Sequence, residues 1–183
     1  ETRKTFWLDR ARTAAIARHT NAFKINEDVV IPLDRMGEYC DGIERFNIEL
    51  SIRNKLRLCD ALREFIQGEL PLRSYEEGVD KDELIGERRQ RALTVIERVS
   101  TRWQWIHDQL DLPLENAEPL FDSLGIHASD FNNQTHHPSL FHRLQDHSIR
   151  ISWKQELRKP FQDIFEGDHF RPVLERIEAI HRD

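Results

Sequence analysis

Apolar residues recur at helical spacing along most of this chain. One stripe, with spacings of four, three and four residues, consists of Tyr39, Ile43, Phe46 and Leu50. A second stripe, displaced by about two residues from the phase of the first, consists of Ile52, Leu56, Cys59, Leu62 and Ile66. Together they predict one helix over residues 34–67, which either bends or changes its packing partner where the stripes meet. Gly68 and Pro71 are expected to end it.

A second long helix is predicted over residues 81–110. Its apolar residues follow a strict three-four repeat through Ile96, Val99, Trp103, Ile106 and Leu110, a pattern typical of a helix in a bundle. The link between the two helices is short and polar, so they should pack antiparallel. Shorter helices are predicted after residue 113, and the expected fold class is mainly α, built on the two long antiparallel helices.

One stretch near the N-terminus favours an extended chain. A helix is predicted over residues 5–18, and residues 24–31 then end in the β-branched run Val29, Val30 and Ile31, which Pro32 closes. A single strand cannot form a sheet, so we expect this one to be poorly paired within the chain or to pair with a second copy. The predicted organisation is an N-terminal segment, 1–33, followed by a helical insertion domain, 34–183.

Composition narrows the classes of function. The 183 residues carry a formal net charge of −6, which argues against broad binding of nucleic acid through its phosphates. No apolar run approaches the roughly 20 residues that span a bilayer, so no membrane span is predicted. Cys40 and Cys59 are expected to be free, half-buried thiols in a reducing compartment.

The clusters of ionisable residues predict structure more than chemistry. His136, His137, His142 and His147 lack the spacing of a helical metal site, so we expect surface or capping roles and no metal. The basic segment 87–91 should be a solvated helix face. No glycine-rich phosphate loop and no nucleophile elbow occurs, and composition and motifs alone therefore predict only a soluble helical domain.

Two segments near the N-terminus carry a family resemblance. Residues 6–12, Phe-Trp-Leu-Asp-Arg-Ala-Arg, and residues 26–36, Asn-Glu-Asp-Val-Val-Ile-Pro-Leu-Asp-Arg-Met, resemble the C-terminal cap region of FAD-linked oxidases of the glycolate oxidase and D-lactate dehydrogenase type. With residues 20–24 and the segment Ser-Trp-Lys-Gln-Glu at 152–156, the chain is similar to a bacterial subgroup of FAD/FMN-containing dehydrogenases with a helical insertion in the cap.

The resemblance implies a function for a larger parent protein. That parent would oxidise a small 2-hydroxy acid by hydride transfer to FAD, and this chain would be an internal cap or insertion fragment, inactive alone. The family's FAD-binding domain and its catalytic histidine motif have no counterpart in these residues, so no cofactor and no catalytic residue is predicted here. Trp7 and Arg10 match a substrate-binding motif, in which Arg10 would pair with a carboxylate. The alternative for Arg10 is a surface salt bridge with Asp9 or another acidic neighbour.

Partners follow from the same expectation. They are the remainder of the parent flavoprotein and a second copy in a homodimer, in the cytoplasm or peripheral to the inner face of the membrane. The alternative function is a helical interaction module that docks an electron-acceptor subunit or another protomer. Its expected contact points are the loop 127–138 and Trp105.

Overall fold

The computed structural model describes residues 31–73, 81–131 and 136–182, and for residues 81–84 it describes the backbone only. The chain divides into two compact units, Glu1–Tyr39 and Cys40–Asp183, whereas the predicted boundary lies between residues 33 and 34. The predicted helix 5–18 lies outside the described residues, as does all of the extended stretch 24–31 except Ile31.

The described part of the first unit is a turn that leads into a helix. Residues Leu33–Arg35 form a 3-10 turn after Pro32, closed by the Arg35 N–H donating to the Pro32 carbonyl at 3.0 Å. Helix α1 begins at Met36, and the Arg35 guanidinium pairs with the Glu38 carboxylate one turn later at 3.1 Å.

The two predicted long helices are confirmed, and their contacts show that they are antiparallel. They are α1 (Met36–Gln67) and α2 (Lys81–Asp108). Arg63 on α1 donates to the Ser100 hydroxyl on α2 at 3.3 Å. Arg89 on α2 donates to the Gly68 carbonyl, just past α1, at 2.9 Å. Later residues of α1 therefore meet earlier residues of α2.

Short helical elements complete the second unit. They are α3 (Leu114–Ala117), a 3-10 turn (Glu118–Leu120), α4 (Phe121–Leu124), α5 (Leu140–Gln145), a π-turn (Lys154–Arg158), α6 (Lys159–Ile164), a 3-10 turn (Asp168–Phe170) and α7 (Arg171–Arg182). Within the described ranges the chain forms no strand and only two isolated antiparallel bridges, Pro113–Ser139 and Ala128–Ile149. The prediction of a mainly α fold is therefore confirmed.

The three-four stripe of α2 is the centre of the core, as predicted. Ile96, Val99 and Trp103 are fully buried, and Ile106 and Leu110 nearly so. Around them pack buried side chains of α1, α6 and α7 and of the segments beside α6, among them Ile52, Leu62, Ile66, Leu157, Phe161, Phe165, Val173 and Ile177. Close packing of such large apolar groups is the main favourable term in the stability of this unit.

Only the second stripe of α1 belongs to this core. Ile52, Cys59, Leu62 and Ile66 are buried. On the first stripe, by contrast, 46% of Ile43 and 58% of Phe46 are exposed. Both stripes lie on the single helix Met36–Gln67, and the change from exposed to buried side chains shows that its surroundings change where the stripes meet.

Two arginines of segment 87–91 correct its expected role as a solvated helix face. Arg88 donates to the Ile164 carbonyl at the end of α6 and lies 4.6 Å from the centre of the Phe170 ring. Arg89 satisfies the Gly68 carbonyl after α1. Helix C-termini leave carbonyls without partners and attract cations. Arg88 and Arg89 therefore link α2 to the ends of α6 and α1. Glu87 and Arg91 of the same segment are exposed.

Neither cysteine forms a disulfide, as predicted, but the expectation that both are half-buried is wrong. Cys40 is exposed and Cys59 is fully buried. Burial disfavours a thiolate, and it raises the pKa of Cys59 to about 12. None of the described helices combines the length and apolar character needed to cross a membrane.

The two thiols should therefore differ sharply in reactivity. In the native protein, a thiol reagent should modify Cys40 rapidly and Cys59 only after unfolding. Below about pH 9, which is near the pKa of a thiol in the unfolded chain, Cys59 should contribute no pH dependence to the free energy of unfolding. Between about pH 9 and about pH 12 its contribution should lower that free energy as the pH rises. Stability falls in this range because, as the pH rises, the Cys59 thiol loses its proton in the unfolded chain before it does so in the native protein.

The control is Cys59→Ala, measured by denaturant unfolding across the same pH range. It should show a shallower decline above pH 9 than the wild type, whatever its absolute stability. Equal slopes for the two proteins would contradict the assignment.

Candidate functional site

A cleft of about 770 Å³ opens on one side of α2. Its walls are the C-terminal half of α2, the segment after α4, the turn after α5 and the π-turn. The residues that line it are Arg98, Arg102, Trp103, Ile106, Gly125, Ile126, His127, Ala128, Ser129, His147, Ser148, Ile149, Arg150, Ile151, Gln155, Glu156 and Pro160. This volume lies in the range of small-molecule sites.

Gly125 allows the first wall to pass close to α2. It ends α4 with a φ of 65°, a left-handed conformation that favours glycine. A Cβ at this position would lie 3.1 Å from Nη1 of Arg102. The Ile126 N–H then donates to the Phe121 carbonyl at 2.8 Å, and the chain continues along the cleft as far as the bridge between Ala128 and Ile149.

The second wall contains a strained residue. His147 has a φ of 61°, which costs free energy for a residue with a Cβ and often occurs at functional sites. Hydrogen bonds hold the turn on both sides: the Ser148 N–H donates to the Asp146 carboxylate at 2.9 Å, and the Ile149 N–H to the Arg143 carbonyl at 2.9 Å. The His147 side chain is exposed at the cleft.

The third wall is the π-turn that precedes Pro160. Proline has no N–H to donate to the carbonyl four residues earlier. The preceding N–H, of Lys159, bonds the Lys154 carbonyl five residues back, and the backbone stays helical. The turn is capped by Ser152, whose hydroxyl accepts the Gln155 N–H at 3.3 Å. Single-turn π segments are frequent at functional sites.

The carboxylate of Glu156 contacts residues of both the cleft lining and the core. It pairs with Arg102 and accepts the indole N–H of Trp103 at 3.1 Å. Its other oxygen accepts the Ser152 N–H at 2.9 Å. The side chains of Arg102 and Glu156 are only 13% and 17% exposed, and Arg102 also donates to the Gly125 carbonyl at 3.0 Å. A largely buried charge pair needs such additional hydrogen bonds, so this group is fixed in position.

Two further arginines leave positive charge in the cleft. Arg98 and Arg150 are exposed, and within the part of the chain that the structure describes neither has a carboxylate at ion-pair distance. The Nε of Arg150 donates to the His147 carbonyl at 3.3 Å. With Arg102, the lining contains three arginines and one glutamate, Glu156, and so has a formal charge of +2. The protein as a whole has a net charge of −6.

The structure describes the four histidines singled out in the sequence but not the predicted substrate-binding pair, whose role stays a prediction. Trp7 and Arg10 lie outside the described residues. His136 and His137 are exposed on the loop before α5, and His142 caps that helix, its Nδ1 accepting the Ser139 N–H at 3.0 Å. In the described ranges, no three histidine, cysteine or acidic side chains are grouped so that they could hold a metal ion.

Sequence reasoning missed the arginines of the cleft. Arg98 and Arg102 are separated by four residues on a predicted helix, which places them on one face, and this signal was available. Nothing in the sequence indicates that Arg150, on a separate segment, faces the same space. Trp105, one of the predicted contact points, is half-buried and lines a smaller groove with Asp60 and other side chains of α1 and α2.

No protein-family model, no curated protein sequence and no solved structure matches the chain.

Glu156 should be essential for the stability of this unit. Removing its carboxylate in Glu156→Ala leaves the Arg102 charge and the Trp103 N–H without their partner, and we expect a loss of about 3 kcal/mol in the free energy of unfolding. Glu166→Ala makes the same change at an exposed position and should stay within about 0.5 kcal/mol of wild type. Denaturant titration measures both.

A double-mutant cycle with Arg102→Ala separates the pair from the other contacts. We expect a coupling between residues 102 and 156 above about 1 kcal/mol, because the two groups touch and share a hydrogen-bond network. If Glu156→Ala were as stable as Glu166→Ala, the assigned role of this carboxylate would be wrong.

Proposed function

We propose that this chain is the cap or insertion portion of a cytoplasmic flavin-dependent oxidoreductase, and that its helical unit binds or docks and does not itself catalyse. The parent would oxidise a small 2-hydroxy acid by hydride transfer to FAD. The observation that carries the proposal is the pattern of residues 6–12 and 26–36, which resembles the cap of FAD-linked oxidases. In such enzymes the flavin supplies the chemistry and the protein supplies binding and orientation.

The geometry of the described unit supports a non-catalytic role. Its most buried ionisable pair, Arg102 with Glu156, is held by backbone and indole partners, and so has a structural explanation. The segment 152–156, part of the resemblance, is likewise explained locally, since Ser152 caps the π-turn and Glu156 anchors it. In the parent, Arg10 and Trp7 would contact the substrate, and FAD would be bound by residues outside this chain.

Flavin titration tests this proposal. The 183-residue chain should show no saturable change in flavin absorbance or fluorescence at micromolar FAD, whereas the complete gene product should purify with a flavin spectrum. In that gene product, Arg10→Gln should raise KM for a 2-hydroxy acid, because a bidentate contact with the carboxylate is lost. Tight FAD binding by the 183 residues alone, or a complete gene product without flavin, would contradict the proposal.

A second candidate function is a helical interaction module, and the exposed apolar side chains of α1 favour it. Ile43 and Phe46 are exposed on the stripe that continues to Leu50. Apolar residues alternating three and four apart are the pattern by which two helices pack side by side. Of the two predicted partners, an electron-acceptor subunit or another protomer, we test the second, because a second copy of the chain presents the same apolar stripe.

Sedimentation velocity distinguishes this candidate. If protomers pair through α1, the wild type should show a concentration-dependent dimer, and Phe46→Glu should weaken association by about tenfold or more, since it places a charge in an apolar contact. Asn54→Glu adds the same charge at another exposed position of α1 and should leave association unchanged. A wild type that stays monomeric up to high micromolar concentration would exclude another protomer as the partner.

A further inference from the structure

We propose that the cleft beside α2 binds a small organic anion, with a carboxylate or phosphate held by Arg98 and Arg150 and an apolar body lying against Ile151. This site does not depend on the flavin proposal, because it is formed entirely by described residues of the helical unit.

The first argument is the unused charge. Arg102 is already occupied by Glu156 and the Gly125 carbonyl, so it contributes a fixed positive wall. Arg98 lies one turn before it on α2, and Arg150 approaches from the turn after α5; in the described ranges neither is paired with a carboxylate. Guanidinium groups bind carboxylate and phosphate through paired, charge-assisted hydrogen bonds. The free donors of the cleft therefore fit an oxyanion.

The second argument is the apolar part of the cleft lining. Ile106, Ile126 and Ile149 form buried parts of the cleft lining, with exposures of 2%, 6% and 3%. Ile151 is only partly buried and also lines the cleft. A bare inorganic ion would leave the exposed part of Ile151 in water, whereas an organic body would cover it, at a gain proportional to the apolar area buried.

The third argument is the rigidity of the walls. One wall is held at Gly125 by its left-handed φ and the close approach of Arg102, another by the hydrogen-bonded turn that strains His147, and the third by the capped π-turn. A pre-formed site loses less entropy when a ligand binds. The volume of about 770 Å³ suits a small molecule more than an extended macromolecular surface.

Binding can be followed at Trp103, which borders the cleft and whose indole N–H donates to the Glu156 carboxylate. We would titrate the whole 183-residue chain with phenyl phosphate, benzoate, inorganic phosphate and the neutral benzamide. The readouts are the indole ¹H–¹⁵N signals and calorimetry. Phenyl phosphate or benzoate should shift the Trp103 signal saturably. One or both of them should bind at least about tenfold more tightly than benzamide or inorganic phosphate, because only these two probes combine an anionic group with an apolar ring. The tighter of the two anions identifies the head group.

Variants test whether the arginines carry the binding. Arg98→Gln and Arg150→Gln change exposed side chains, so both proteins should fold, and each should weaken the tighter anion by about tenfold through loss of a charge-assisted hydrogen bond. Arg91→Gln is the control, an exposed arginine on the same helix outside the cleft, and should change binding less than about twofold. Raising the salt concentration should weaken the wild type more than either cleft variant.

Several results would overturn the proposal. They are the absence of a saturable Trp103 shift with both organic anions, equal binding of benzamide, equal binding of inorganic phosphate, and a double variant Arg98→Gln/Arg150→Gln that binds like the wild type. Circular dichroism of each variant establishes that it has folded, so that a loss of binding is read only from proteins with native helical content.

Discussion

Both the core and the cleft depend on the ion pair and hydrogen bonds made by the largely buried carboxylate of Glu156. A charge in a nearly dry environment is stable only with a counter-charge and hydrogen-bond donors around it. Here those partners come from α2 through Arg102 and Trp103, and from the start of the π-turn through Ser152. The same group therefore positions the largest core side chain, anchors the π-turn and fixes one wall of the cleft.

Two groups of described arginines have different roles in this acidic chain. Arg88, Arg89 and Arg102 each donate to a backbone carbonyl at or near the end of a helix, where unpaired carbonyls need donors. Arg98 and Arg150 remain exposed in the cleft. Arginine can serve both purposes because its planar head offers several donors while its stem packs on apolar surface. Of the first group, Arg102 also lines the cleft and fixes a wall beside the second group.

Much of the fold follows from local pattern, whereas the site does not. The three-four stripe from Ile96 to Leu110 correctly predicts both the helix and its buried face, since helical spacing is a property of neighbouring residues. The same reasoning assigned an apolar face around Phe46 that remains exposed within the described unit. Periodicity shows that side chains share a face, but it contains no information on what covers that face.

By itself, the sequence determined the two long helices, their antiparallel pairing through a short link, the buried Trp103 and the free thiols. Each of these depends on residues close together in the chain. Only the tertiary structure decided that Arg150 and Glu156 join Arg98 and Arg102 around one cleft, and that Arg88 and Arg89 bind distant carbonyls. Those contacts join residues more than 20 positions apart, and the packing of helices, which local spacing does not encode, brings them together.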